Sequence, residues 1–316
     1  MFAKSLKLVK NGFTKGTIWS KMTLILGVFL ILLVLTNTYK PIKEGFVFEK
    51  KYIENRGDAI FDNFYASIYD DLVYSELKND FEIGEIVNKT SPTSSSKFLD
   101  IGSGTGHHVK SLKDKGFNVV GIDKSNAMVE YSKENYPDIS VKVGDAMKSM
   151  EFSPGEFTHI TCLYFTIYYI KDKSAFLSNC MNWLKPGGYL ILHLVDKDLF
   201  DPIIPAANPF VYSPQKYSKN KINTSNVVFN NFTYKGQFDP RGGDTGVYPN
   251  DFVIYREIFK DTSSGNIREN THELYMDSQK NIISKARNVG FIESAMVDMT
   301  TCQYENQYLY ILQKPI

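Results

Sequence analysis

At positions 98–108 the chain reads FLDIGSGTGHH, an apolar run that ends in an acid and passes into three glycines, Gly102, Gly104 and Gly106, at alternate positions. The run has the pattern of a strand buried on both faces. Glycine directly after it lets the main chain turn through conformations closed to other residues and meet a ligand with no side chain in between. Such a junction suits an open α/β sheet, whose ligand crevice lies at the carboxyl ends of its strands.

The residues that follow keep this rhythm. HHVKSLKDKG reads as a helix closed by Gly116, FNVVGID as a strand, and SNAMVEYSKENYP as a helix opened by Ser125 and stopped by Pro137. ISVKVGDA is a further strand, FTHITCLYFTIYYI another, KSAFLSNCMNWLKPGG a helix, and YLILHLVD a strand. Alternation of this kind predicts a parallel sheet with helices on both faces. Ahead of it, 61–89 has helical spacing and TSPTSSS at 90–96 is a loop. Beyond it, 201–270 is rich in proline and then in strand-like alternation, with TSSGN as a turn, and reads as a β-rich cap inserted over the crevice. A helix over 277–290 precedes FIESAMVDM and QYLYILQK, an antiparallel edge that finishes the sheet.

The N-terminus differs in composition. Residues 1–21 carry five lysines and no acid, and MTLILGVFLILLVLT at 22–36 carries no charge. The pattern predicts a basic tail at 1–21, an uncleaved single-pass membrane anchor at 22–38 and a linker at 39–60. The charge bias predicts a cytosolic N-terminus and, unless the span is inverted, sends the remainder, 61–200 as ligand-binding core, 201–270 as cap and 271–316 as closing elements, across a membrane of unspecified identity, so the side of the catalytic domain stays open.

Composition argues against other classes. The net charge of +1, with basic and acidic residues interleaved, gives no pull toward nucleic acid, and no nucleic-acid partner is expected. Cys162, Cys180 and Cys302 are far apart and sit in apolar surroundings, as reduced core thiols do. No metal-ligand spacing accompanies the histidines, so no metal is expected.

The ligand follows from the acids. A dinucleotide fingerprint needs a glycine where this chain has His107. Asp100 ends the strand beside the turn, where a carboxylate repels a pyrophosphate and attracts an ammonium or sulfonium. Asp123 closes the next strand, where an acid bonds a ribose diol, and Asp145 closes the one after. Three acids at three successive strand ends suit a cationic, adenosine-bearing ligand, although each taken singly is also an ordinary turn or cap residue.

FLDIGSGTGHH, GIDKSN, GDAM and LKPGGYLIL, in this order, resemble the class I S-adenosylmethionine-dependent methyltransferases of the small-substrate type with a C-terminal β cap. The resemblance covers about 61–316 and leaves out the N-terminal anchor. It implies a Rossmann-like, seven-stranded, mostly parallel sheet with helices on both faces, an antiparallel last strand, and a cap insertion. It further implies S-adenosylmethionine as cofactor. Gly102, Gly104 and Gly106 then admit the methionine moiety, with Asp100 near its amino group. Asp123 takes the ribose hydroxyls beside Lys124 and Ser125, and Asp145 and Ala146 meet the adenine. Cys162, Leu163 and Tyr164 pass under the methionine tail, and Met128 packs on adenine or is plain helix core. Tyr69, four residues after Tyr65, is the lid candidate.

Methyl transfer is an in-line displacement that needs alignment and a dry approach more than an acid or base. Tyr164, Tyr168 and His193, at the ends of the fourth and fifth strands, are the catalytic candidates, with Phe165, Tyr169, Asp196 and His272 as further possibilities. The expected acceptor is a small molecule or a protein side chain. Two rivals stand beside this reading: a Rossmann oxidoreductase, which His107 disfavours, and an inactive membrane-tethered binding or scaffold protein.

Overall fold

A computed structural model describes residues 17–19, 21–23, 25–27, 29, 52–207, 215, 218–240 and 251–316. The chain divides into two compact units, Met1–Val47 and Phe48–Ile316. In the first, the described helical positions lie between Ile18 and Phe29. The anchor expected at 22–38 is not borne out: among the described residues no helix is long and apolar enough to cross a membrane, which takes about 20 residues. Residues 30–38 lie outside the described residues. The membrane localisation, its orientation and the membrane partner fall with the anchor.

In the second unit the strands are β1 (Tyr52–Arg56), β2 (Lys97–Ile101), β3 (Asn118–Asp123), β4 (Val141–Val143), β5 (Phe157–Cys162), β6 (Leu184–Val195), β7 (Thr224–Val228), β8 (Phe232–Asp239), β9 (Phe252–Asp261), β10 (Ile267–Tyr275), β11 (Ile292–Asp298) and β12 (Gln307–Gln313). The α-helices are α1 (Asn63–Val73), α2 (Glu76–Thr90), α3 (His107–Asp114), α4 (Asn126–Asn135), α5 (Lys173–Trp183) and α6 (Gln279–Val289).

Seven strands form the core sheet in the order β11-β12-β6-β5-β2-β3-β4. Strands β6, β5, β2, β3 and β4 run parallel, and β12 pairs antiparallel with β6. This is the Rossmann-like α/β sheet that the strand and helix alternation predicts. Period-two alternation separates its faces. Leu190, Leu192 and Leu194 of β6 pack with Trp183 of α5 and Ile282 of α6, whereas Ile191 faces Ile83 of α2, Val109 of α3 and Val129 of α4.

Local chemistry sets the helix starts. Asp62 accepts the Tyr65 N–H at 3.0 Å to open α1, and Ser125 accepts the Met128 N–H at 3.0 Å to open α4. The single helix expected at 61–89 is two, because Tyr74 is extended and the Ser75 hydroxyl starts α2 by accepting the Lys78 N–H at 3.3 Å.

The second sheet, β1-β10-β9-β8-β7, is the cap. Strands β8, β9 and β10 pair antiparallel in turn, and β10 extends past the expected boundary at 270 to Tyr275. The stretch expected as linker supplies β1, which pairs parallel with β10 from Tyr52↔Ile267 to Arg56↔Thr271. The sequence NVVFNNFTYKGQF, which reads as one strand, is the hairpin of β7 and β8.

Candidate active site

A cavity of about 470 Å3 lies between the carboxyl ends of the core strands and the inner face of the cap, within the usual range for small-molecule sites. One wall is the glycine turn. Gly102, Gly104 and Gly106 have φ of +70°, +52° and +90°, the left-handed region that disfavours side chains. A Cβ on Gly102 would collide with the Thr166 side chain, so this position has no room for a side chain. A Cβ on Gly104 would meet nothing within 4 Å, because this part of the turn faces open space. The Gly102 and Ser103 N–H groups donate to the Ile122 carbonyl at 2.8 and 3.0 Å, which locks the turn onto the end of β3.

Asp123 ends β3 under this turn. Its Oδ2 accepts the Gly104 N–H at 2.9 Å and its Oδ1 the Ser125 N–H at 2.8 Å. Each carboxylate oxygen has two acceptor positions, so both keep one more. Burial pushes the Asp123 carboxyl up, against the two amides that pull it down. Lys124 next to it sits 3.0 Å from Asp58 and 3.9 Å from Asp145. Asp145 accepts the Met147 N–H at 2.9 Å and lines the cavity with Ala146 and the buried Met128. Tyr69 and Tyr164 line it as well. Tyr164 has φ +52°, an outlier for a bulky residue, and the Lys78 ammonium lies 5.2 Å from its ring centroid.

The cap forms the opposite wall. Read in steps of two, β9 presents Val253, Tyr255, Glu257 and Phe259, and β10 presents Arg268, Asn270, His272 and Leu274. Register sets Glu257 opposite Asn270 and diagonal to His272. The result is a buried row of hydrogen bonds. Arg268 donates to the Ile60 carbonyl at 2.9 Å, to Asp62 at 2.7 Å and to Asn270 Oδ1 at 2.9 Å. Asn270 donates to Glu257 at 3.4 Å, Glu257 Oε2 lies 2.7 Å from His272 Nε2, and His272 Nδ1 lies 2.7 Å from the Tyr169 hydroxyl. Glu257 Oε1 accepts from the Tyr234 hydroxyl at 3.1 Å, and that hydroxyl is 2.5 Å from the hydroxyl of Tyr255. Burial works to raise the Glu257 carboxyl, but His272 and the hydroxyl of Tyr65 outweigh it and hold it below the usual range.

Of the expected site residues, Tyr69, Gly102, Gly104, Asp123, Lys124, Ser125, Met128, Asp145, Ala146 and Tyr164 line this cavity, as do the further candidates Phe165, Tyr169 and His272. Asp100, Gly106, Cys162, Leu163, Tyr168, His193 and Asp196 do not. Asp100 is buried behind the turn, where its Oδ1 accepts from the Thr161 hydroxyl at 2.6 Å. Gly106 starts α3 against Ile139 and Ser132, and Leu163 is core. The Tyr168 hydroxyl accepts the Val195 N–H at 2.8 Å inside the protein. His193 is fully buried with Glu82 at 3.9 Å, and burial pushes it down to about 3, so it stays neutral. The 3-10 turn Thr166–Tyr169 explains the exchange: it rotates Tyr168 into the core and Tyr169, 37% exposed, into the cavity. Sequence reasoning missed Glu257. The available signal was an acid on the apolar face of a strand, at a two-residue step from Tyr255 and Phe259.

Comparison with known proteins agrees with this geometry. Residues 99–192 match the family model described as "Methyltransferase domain". The chain is 32% identical over 136 residues to a dTDP-4-amino-2,3,4,6-tetradeoxy-D-glucose N,N-dimethyltransferase of Saccharopolyspora spinosa, covering 40% of this chain and 53% of that protein. It is 25% identical over 146 residues to a demethylmenaquinone methyltransferase of Renibacterium salmoninarum, covering 43% and 61%. The chain thus spans between half and two thirds of the length of these curated relatives. Among solved structures, an S-adenosylmethionine-dependent methyltransferase of Clostridium acetobutylicum superposes with a TM-score of 0.59 at 18% identity, over 80% of this chain and 99% of that one. The SAM-bound amino pentose methyltransferase CalS10 of Micromonospora echinaspora does so with 0.52 at 17% identity, over 75% and 91%. Residues 99–192 thus match a methyltransferase domain, set in a fold that S-adenosylmethionine-dependent methyltransferases share.

Proposed function

We propose that this chain transfers a methyl group from S-adenosylmethionine to a small-molecule acceptor held between the core sheet and the cap. The observation that carries the reading is Asp123: a carboxylate fixed by the Gly104 and Ser125 amides, with an acceptor position left on each oxygen for a vicinal diol. The residues around it fit the donor. Gly102 and Gly104 put no side chain between the turn's backbone and the cavity, Asp145 and Ala146 stand beyond β4, and the π faces of Tyr69 and Tyr164 suit a cation. When bound, the donor supplies a methyl group on a positively charged sulfur, open to displacement by an electron pair. The chain's own residues hold, align and keep water away, with Tyr65 and Tyr69 of α1 and the cap strands enclosing the acceptor's side of the cavity. The names of two of these proteins, a dTDP-amino-sugar N,N-dimethyltransferase and an amino pentose methyltransferase, support an amino sugar or a similar small amine as acceptor.

Calorimetric titration of the full chain with S-adenosylhomocysteine tests the donor. Saturable heat is expected, with affinity about 100-fold lower in Asp123→Ala, the scale of two charge-assisted hydrogen bonds. No heat from the unmodified chain, with binding of NADH in its place, defeats the reading.

A further inference from the structure

We infer that Tyr169, His272 and Glu257 form a proton-accepting chain that commits this cavity to acceptors which surrender a hydrogen from oxygen or nitrogen. The inference rests on the proposed methyl transfer and goes beyond it, because a displacement by itself requires no base. Three observations carry it. The three groups are hydrogen-bonded in series, with 2.7 Å from Glu257 Oε2 to His272 Nε2 and 2.7 Å from His272 Nδ1 to the Tyr169 hydroxyl. Glu257 and His272 are buried to within 2% of full burial, an arrangement that a purely structural role fills more cheaply with apolar residues. Tyr169, at the other end, opens into the cavity on the acceptor's side.

Proton positions follow from the partners. Glu257 is an acceptor only, so His272 Nε2 carries the hydrogen and donates it, and Nδ1 offers a lone pair to the Tyr169 O–H. The Tyr169 oxygen then has lone pairs left for an acceptor's O–H or N–H. As the acceptor's electron pair forms the bond to the methyl carbon, the carbon–sulfur pair stays with sulfur. The acceptor's hydrogen passes to the Tyr169 oxygen, and the original Tyr169 hydrogen passes to His272 Nδ1. The imidazolium so formed is held against the Glu257 carboxylate until it releases its proton to water. Burial pushes the Tyr169 hydroxyl well above its ordinary value, so a free phenolate does not serve as base and the histidine is needed behind it. The other titratable groups facing this row are Tyr65 and Tyr69 from α1, Tyr234 from β8 and Tyr255 from β9, all neutral phenols raised by burial. The nearest cation along the row is Arg268, separated from Glu257 by Asn270.

The first test needs no acceptor. Nitrogen NMR of the full chain with S-adenosylhomocysteine is expected to show His272 with hydrogen on Nε2 and none on Nδ1. The reverse tautomer overturns the inference, since Nδ1 could then take no hydrogen from Tyr169. The second test follows labelled methyl transfer to a dTDP-linked 4-amino sugar, catechol and tyramine. At least one is expected to be methylated, with kcat in Tyr169→Phe and Glu257→Gln lowered at least 30-fold at pH 7. The affinity for S-adenosylhomocysteine should stay within twofold, and the deficit in kcat should shrink as pH rises and the acceptor sheds its proton unaided. Undiminished kcat in Tyr169→Phe, or a deficit equal at every pH, overturns the chain. Transfer to none of the three while S-adenosylhomocysteine binds overturns the acceptor class and leaves the donor assignment standing. Failure of S-adenosylhomocysteine to bind removes both.

Discussion

Around the glycine turn two main-chain N–H groups, from Gly104 and Ser125, converge on a single carboxylate, whereas on the cap Arg268, Asn270, Glu257 and His272 make a row from side chains of two facing strands. The wall at the glycine turn is thus built from backbone conformation and the cap wall from side-chain register. A backbone site tolerates change in the side chains around it and fails when the turn is altered. A register site fails when any member is removed and can be altered without touching the turn. The two walls should therefore separate in experiment.

The largest effect is expected from Arg268→Ala. The guanidinium is fully buried and serves Asp62, Asn270 and the Ile60 carbonyl, so its loss should destabilise the fold by about 3–5 kcal/mol in denaturant titration. Below the unfolding transition, affinity for S-adenosylhomocysteine should be retained; a parallel loss would show that the walls are not separable. Gly102→Ala should do the opposite. It places a Cβ in the left-handed region and against Thr166, at about 2–3 kcal/mol, and should abolish measurable cofactor binding. Intact binding in a destabilised variant would contradict cofactor binding by a wall made of main chain.

Acid sharpens the contrast. Burial holds His193 down at about 3 and His159 at about 4, against an ordinary 6.5. Below pH 6.5 the unfolded chain takes up protons that these folded histidines refuse, so stability falls with pH down to 3–4. At pH 5 each histidine accounts for about 2 kcal/mol. Glu257 is shifted down by its partners, and its contribution is lost only as pH falls below the ordinary carboxylate value of about 4.3. Melting between pH 7 and 5 should therefore flatten in His193→Gln and keep its slope in Glu257→Gln. The smallest effect belongs to Tyr234→Phe, which removes one hydrogen bond to Glu257 and should cost about 1 kcal/mol with cofactor affinity unchanged.

The same contrast explains what could be read in the sequence. Gly102, Gly104, Asp123, Asp145 and Ala146 lie in short contiguous motifs whose spacing carries their geometry, and all five reach the cavity. Tyr168 and His193 sit at the ends of correctly placed strands, yet a single 3-10 turn and the inner face of β6 direct them into the core. Glu257 and His272 are 15 residues apart in sequence and meet through the register of a hairpin, which no local pattern specifies. The central strands β2, β5 and β6 were legible from their alternation with helices, because each carries a largely buried run of residues. Strand β1, with alternating exposure and three charged or amide side chains in YIENR, gave no such signal.

That strand closes one edge of the cap sheet, since β1 pairs along β10 as far as Arg56, in register with Thr271. A chain begun at residue 57 would strip one rim of β10 of its ladder and offer that rim to another copy.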